Sequence, residues 1–166
     1  MNAINFALWK YPVHFLAYGL GSGFIPFAPG TMGTLVGVAI FWFMARLSTL
    51  SYATITLVMA IAGIFICDQT ARDMGKLDPG AIVWDEIVGF LVAMFLLPLR
   101  WSWILTGFIL FRLFDIWKLF PIKWVEHKLS GGLGIMLDDI LAALIVLLIL
   151  HTVRWALKRG ETMGSE

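Results

Sequence analysis

The sequence predicts an all-α, polytopic integral membrane protein, a helical bundle of about four to five apolar segments. Three observations predict it. Of 166 residues, 60% are hydrophobic and only 14% charged, against about 25% charged in an ordinary soluble chain. That leaves too few polar side chains to cover a soluble surface. Apolar stretches recur along the chain, separated by short polar or proline- and glycine-bearing breaks. Acidic side chains (Asp85, Glu86, Asp115, Asp138 and Asp139) stand at the ends of those stretches, where a carboxylate near hydrocarbon costs roughly 2.5 to 3.5 kcal/mol. The compensating partner such a cluster calls for is a hard divalent cation. Residues 1–157 read as one membrane-embedded domain and 158–166 as a polar tail.

The elements follow in order. Lys10, Pro12 and His14 interrupt the N-terminus, so it lacks the clean apolar core of a signal peptide and is expected to remain as an interfacial helix carrying Trp9 and Phe15. A glycine- and proline-rich loop, 21–34, opens the first apolar segment, 32–45. That segment is short for a hydrocarbon layer of about 30 Å at about 1.5 Å per residue. It is expected to tilt, to extend into its neighbours, or to form a re-entrant turn with the second. Arg46, Ser48 and Ser51 mark the break before segment two, 52–67, and the polar stretch 68–80 ends it. Segment three covers 82–97, and Pro98 with Arg100 separates it from segment four, 101–114. The stretch 121–132 leads to segment five, 133–153, the one that reaches about 20 residues.

If all five cross, alternation brings the start of segment one, the end of two, the start of three, the end of four and the start of five to one membrane face. The polar clusters converge there. Seven basic residues (Lys10, Arg72, Lys76, Arg112, Lys118, Lys123 and Lys128) fall on that face, against five (Arg46, Arg100, Arg154, Lys158 and Arg159) opposite. The balance favours a cytoplasmic site. Trp84, Trp117 and Trp124 are expected near the inner interface, and Trp101, Trp103 and Trp155 near the outer one.

Three motifs carry candidate chemistry. The loop 21–34 offers backbone N–H groups and a positive helix end to a phosphate, with Ser22, Thr31, Gly33 and Thr34 as candidate substrate contacts. It is not a Walker loop, because no Gly-Lys-Ser/Thr follows. Its bland reading is a capped helix entry with small residues for close packing. In Trp84-Asp85-Glu86-Ile87-Val88-Gly89 the two acids diverge by about 100° yet can border one cleft, and Gly89 leaves room on the Asp85 face. A single acid there would only complement a helix dipole. The Asp138-Asp139 pair on the same inferred face makes a shared site the better reading. In the third motif, Arg112, Asp115 and Lys118 lie three apart along one stripe, so the bases suit a phosphate and Asp115 a metal. The bland readings are an intrahelical ion pair and snorkelling.

Other chemistries are set aside. One cysteine, Cys67, permits no intrachain disulfide, and its C-x4-R spacing to Arg72 is not that of a cysteine phosphatase. Phosphoaspartate and histidine phosphatase signatures are absent from the sequence, and His14, His127 and His151 are scattered. A net charge of +1 without a basic run gives no sign of nucleic-acid binding. A small ion-coupled transporter and a lipid phosphotransferase stand as alternatives to a hydrolase; acids confined to helix ends argue against the transporter.

The ordered set of Gly21-Ser22-Gly23 with 29–34, then 69–75, Ile82-Val83-Trp84-Asp85-Glu86, Phe111-Arg112 with 115–118, Pro121-Ile122, and 131–139 resembles the phosphatidylglycerophosphatase A family over about residues 16–143. One departure is Ala143, where the family often has glycine. The resemblance implies a multi-pass enzyme of the bacterial inner membrane, Mg2+-dependent, that hydrolyses phosphatidylglycerophosphate to phosphatidylglycerol and phosphate. Under it Asp85, Glu86, Asp115, Asp138 and Asp139 are the candidate catalytic and metal-binding residues, since Mg2+ prefers oxygen ligands. The loop hydroxyls, Arg112 and Lys118 would then neutralise charge on the phosphoryl group.

Overall fold

The computed structural model describes residues 11–75, 79–117 and 131–163, with no strand among them. Helix α1, Pro12–Ala17, leads into a 3-10 turn, Gly19–Phe24. Four longer helices follow: α2, Pro29–Met44; α3, Thr49–Met74; α5, Trp101–Trp117; and α6, Gly132–Met163. Between α3 and α5 lies α4, a ten-residue helix, Trp84–Ala93. Two helices are long and apolar enough to cross a membrane, α3 and the stretch Gly132–Gly160 of α6.

The elements meet the five apolar segments with informative differences. Segment one is a single helix that starts at Pro29 and ends at Met44. Proline suits the first helical turn, because its missing N–H would have had no partner there. The helix α3 runs through the polar stretch expected to end it. Asp68 pairs with Arg72 at 2.6 Å and Gln69 donates to Asp73 at 3.0 Å, both one turn apart, so the polar residues support the helix. It stops at Gly75, whose φ of +64° is the left-handed cap that glycine adopts without steric cost. Helix α6 continues to Met163, through the first residues of the polar tail.

Helix α4 organises the bundle. From Trp84 to Ala93 every residue except Glu86 and Val92 is buried, and α2, α3, α5 and α6 all pack on it. Ten residues give about 15 Å, and both its first residue, Trp84, and its last, Ala93, are buried in the protein. The end carbonyls of a buried helix need partners. The neighbouring helices supply partners there and in the turn just beyond: Tyr52 Oη donates to Leu91 O at 2.6 Å, His151 Nε2 meets Phe95 O at 2.9 Å, and Arg154 donates to Leu96 O. The helix was expected to reach 97. It ends at Ala93 because the chain turns back at Leu96, with φ +61°, before Pro98.

The start of α4 is fixed just as firmly. Val83 is fully buried and its N–H donates to Ala17 O at 2.9 Å. A Cβ on Gly19 or Gly33 would come within 2.7 Å of Val83 side-chain carbons, so these two glycines leave the slot that Val83 fills. Trp84, expected at the inner interface, is instead enclosed; its indole N–H donates to Met59 O at 3.0 Å, and the ring lies over Gly63. The N-terminal helix α1 docks on the end of α3, where His14 Nδ1 meets Thr70 Oγ1 at 2.9 Å and His14 Nε2 lies 3.3 Å from Asp73.

Candidate active site

The beginning of α4 carries Asp85 and Glu86, and two other helices, α5 and α6, bring side chains to the same place. An oxygen from each of Asp85, Glu86 and Asp139 lies within 4.8 Å of the others. Asp85 and Asp139 are buried, and the Glu86 side chain is 13% exposed. From the end of α5, Arg112 Nη1 stands 3.6 Å from Glu86 Oε1 and also pairs with Asp115 one turn on. Asp115 in turn is an electrostatic neighbour of Glu86 and Asp139. Two glycines make the convergence possible. A Cβ on Gly89 would lie 2.6 Å from Phe111 Cζ and 3.2 Å from Asp139 Cβ, so the bare backbone lets α5 and α6 approach. A Cβ on Gly30, at the start of α2, would collide with Glu86 Oε1 and lie 2.9 Å from both Arg112 Nη atoms.

Four carboxylates and one guanidinium in a protein interior are uncompensated if ionised, and isolated buried charge is strongly disfavoured. Asp85 Oδ1, Glu86 Oε2 and Asp139 Oδ2 find no hydrogen-bond donor among the described residues. These oxygens converge without nitrogen or sulfur in the set, the donor chemistry that Mg2+ takes. The residues therefore fit a hard divalent cation. Arg112 Nε is likewise buried with no acceptor among the described residues, a donor left over beside the carboxylates.

The sequence profile of Phosphatidylglycerophosphatase A matches residues 15–154. The chain belongs to the phosphatidylglycerophosphatase A family. It is 42% identical over 143 residues to a phosphatidylglycerophosphatase A of Escherichia coli (strain K12), covering 86% of this chain and 83% of that one. A phosphatidylglycerophosphatase A of Haemophilus influenzae is 42% identical over 146 residues, 87% of this chain and 90% of its own. A relative from Bacteroides thetaiotaomicron, named as a candidate phosphatidylinositol-3-phosphatase, is 36% identical over 147 residues, 84% of this chain and 91% of its own. No solved structure matches the chain.

Within this chain, the sequence-predicted residues separate into three groups. Asp85, Glu86, Arg112, Asp115 and Asp139 come together. Asp138 is buried beside them but gives no oxygen to the close cluster of Asp85, Glu86 and Asp139, as the 100° step between adjacent helical residues dictates. The loop residues are spent mainly on the protein itself. Ser22 Oγ donates to Gly19 O at 2.9 Å, Thr34 Oγ1 donates to Gly30 O at 2.8 Å, and Gly33 packs on Val83. Thr31, half-buried, follows Gly30 in the first turn of α2. Lys118 lies outside the described residues.

Two positions were missed. Gly30 was read only as part of a loop, yet it forms the floor under Glu86 and Arg112. Asp68 was given no role, yet its Oδ1 accepts the Gly132 N–H at 3.1 Å and caps the helix that carries Asp139. The sequence signal for it was the Gly131-Gly132 pair, whose lack of side chains lets Asp68 approach.

Proposed function

We propose that this chain is a membrane-embedded phosphatase that hydrolyses phosphatidylglycerophosphate to phosphatidylglycerol and inorganic phosphate, using Mg2+ held by Asp85, Glu86 and Asp139. The observation that carries the reading is the meeting of those three carboxylates, each with an oxygen that accepts no hydrogen bond among the described residues, beside Arg112. The names of the Escherichia coli and Haemophilus influenzae relatives supply the substrate.

The chain's own residues divide the work. Arg112, held by Glu86 and Asp115, presents a guanidinium to the phosphoryl oxygens, and its unfilled Nε–H adds a donor. Gly30 keeps the floor of the site clear. Asp115 orients Arg112, and Asp138 supports the site from the adjoining face of α6. Lys118, one turn past Asp115 in sequence, and Thr31 are further contacts to the phosphate. A bound divalent cation supplies Lewis-acid polarisation of the phosphoryl group and lowers the pKa of water. In the overall reaction the phosphorus bond to the glycerol oxygen is exchanged for one to the oxygen of water, and the glycerol oxygen takes up a proton that water gives up.

The setting we propose is the bacterial inner membrane, with the outer helices α2, α3, α5 and α6 around a half-length α4 and the site towards the cytoplasm. Large apolar side chains point outward from all four: Phe43 on α2, Phe65 on α3 at 70% exposure, Ile109 on α5 and Leu148 on α6 at 67%. A soluble surface rarely carries such a belt. The seven-to-five division of Lys and Arg supports the orientation.

The test is phosphate release by purified protein in nanodiscs, with lipid, water and Mg2+ as the only reactants. The proposal expects phosphate and phosphatidylglycerol in equal amounts, and slower release from phosphatidylinositol 3-phosphate. Absence of release, or faster release from the inositol lipid, would overturn the substrate assignment.

A further inference from the structure

The approach to α4 is held by the N-terminal segment. Residues 79–83 form no helix, and Val83, the N-cap of α4, makes no side-chain cap. The placing of Asp85, two residues on, therefore depends on what grips 79–83. Helix α1 and the turn after it supply that grip. Ala17 O accepts the Val83 N–H at 2.9 Å, and a Cβ on Gly23 would collide with Ala81 O, so the backbones of the two segments lie directly against each other. Ala17, Tyr18, Ile82 and Val83 are all buried.

A six-residue helix has no stability of its own, so α1 keeps its place through side chains. His14 is the central one. Both of its ring nitrogens are engaged on α3: Nδ1 lies 2.9 Å from Oγ1 of the fully buried Thr70, and Nε2 lies 3.3 Å from the half-exposed carboxylate of Asp73. The Tyr18 hydroxyl adds a contact to Met74 Sδ at 2.8 Å. His14 and Ala17 stand one turn apart on α1, so a shift of the ring on α3 moves the carbonyl that holds Val83.

We infer that His14 is a positioning residue for the hydrolysis: anchored on Thr70, it sets the N-terminal clasp that fixes Val83, and so the carboxylates of Asp85 and Glu86. It acts through α1 and not on the reacting atoms. This rests on the proposed phosphatase reading and deepens it, for it ties the rate to a residue outside the carboxylate cluster.

His14→Ala, His14→Asn and Thr70→Val are compared with wild type in the full chain, by phosphate release at saturating Mg2+ and by hydrogen exchange. Asparagine puts its amide where Nδ1 stands and keeps the Thr70 contact. A misplacement of about 1 Å costs on the order of 100-fold in rate. The smaller shift left by a loosened clasp should lower kcat about tenfold in His14→Ala, with KM for the lipid unchanged. Thr70→Val should match it, the double variant should be no worse than either single one, and His14→Asn should restore most of the rate. Exchange at 79–86 should quicken in His14→Ala and Thr70→Val, while 140–150 in α6 keeps its protection.

Leu150→Ala separates position from stability. Leu150 is buried, packs towards Gly107, and lies about three turns beyond Asp139 on α6, so this variant should lose stability and keep kcat. An equal loss of kcat in Leu150→Ala, or quickened exchange at 79–86 with no loss of rate, would overturn the inference. If His14→Ala does not fold, Thr70→Val carries the test, and wild-type kcat and exchange in it would overturn the inference alone. Wild type that releases no phosphate, while exchange at 79–86 still quickens in the variants, would refute the phosphatase reading separately from the clasp.

Discussion

Gly30→Ala should stabilise a helix and disable the enzyme. The residue lies in the first turn of α2, where alanine gains roughly 0.5–1 kcal/mol over glycine in intrinsic preference. Its Cβ, however, would stand 2.9 Å from both Arg112 Nη atoms and closer still to Glu86 Oε1. Ordinary contact begins near 3.4 Å, so the carboxylate and the guanidinium must both retreat from the present 3.6 Å pairing. A misplacement of about 1 Å costs on the order of 100-fold in rate, or about 2.7 kcal/mol of transition-state stabilisation. The assay is phosphate release at saturating Mg2+ and lipid, with thermal unfolding measured in parallel. Gly160→Ala is the control, since a Cβ there meets nothing within 4 Å. Wild-type kcat in Gly30→Ala would refute the placement of Glu86 and Arg112 in the working site.

Asp85→Asn and Asp139→Asn should each fold and lose about 100-fold in turnover, whereas Asp73→Asn, whose half-exposed carboxylate meets His14 and Gln69 at the docking of α1, should lose far less, as kinetics of the three will show. Asp68→Ala, which removes the cap on Gly132, should lower stability by about 1 kcal/mol and let α6 shift. Asp68→Asn keeps an acceptor oxygen and should restore most of both losses, read by thermal unfolding and by phosphate release.

The acidic positions were legible in the sequence because they stand at the ends of apolar segments that alternating chain direction was expected to bring together, and Asp85, Glu86, Asp115 and Asp139 do meet. Asp138 and Asp139 could not be ranked from their adjacency alone, since the facing of α6 is set by its packing on α3 and α4. Thr34 and Ser22 looked available as donors, but a hydroxyl on a helix or tight turn has a backbone carbonyl within reach, and theirs took it. The enclosure of α4 was not legible either. Segment three reads as a sixteen-residue apolar run, and the side chains of Tyr52, His151 and Arg154, which satisfy carbonyls at or just beyond its shortened end, are distant in sequence.

The most direct test of the central claim is equilibrium binding of Mn2+, as a spectroscopic stand-in for Mg2+, to the purified protein, followed by electron paramagnetic resonance alongside phosphate release. The account predicts saturable binding to wild type, competed by Mg2+ and lost in Asp85→Asn and Asp139→Asn, with hydrolysis abolished by exhaustive chelation. Unaltered Mn2+ binding in both variants, or full phosphate release after chelation, would contradict it.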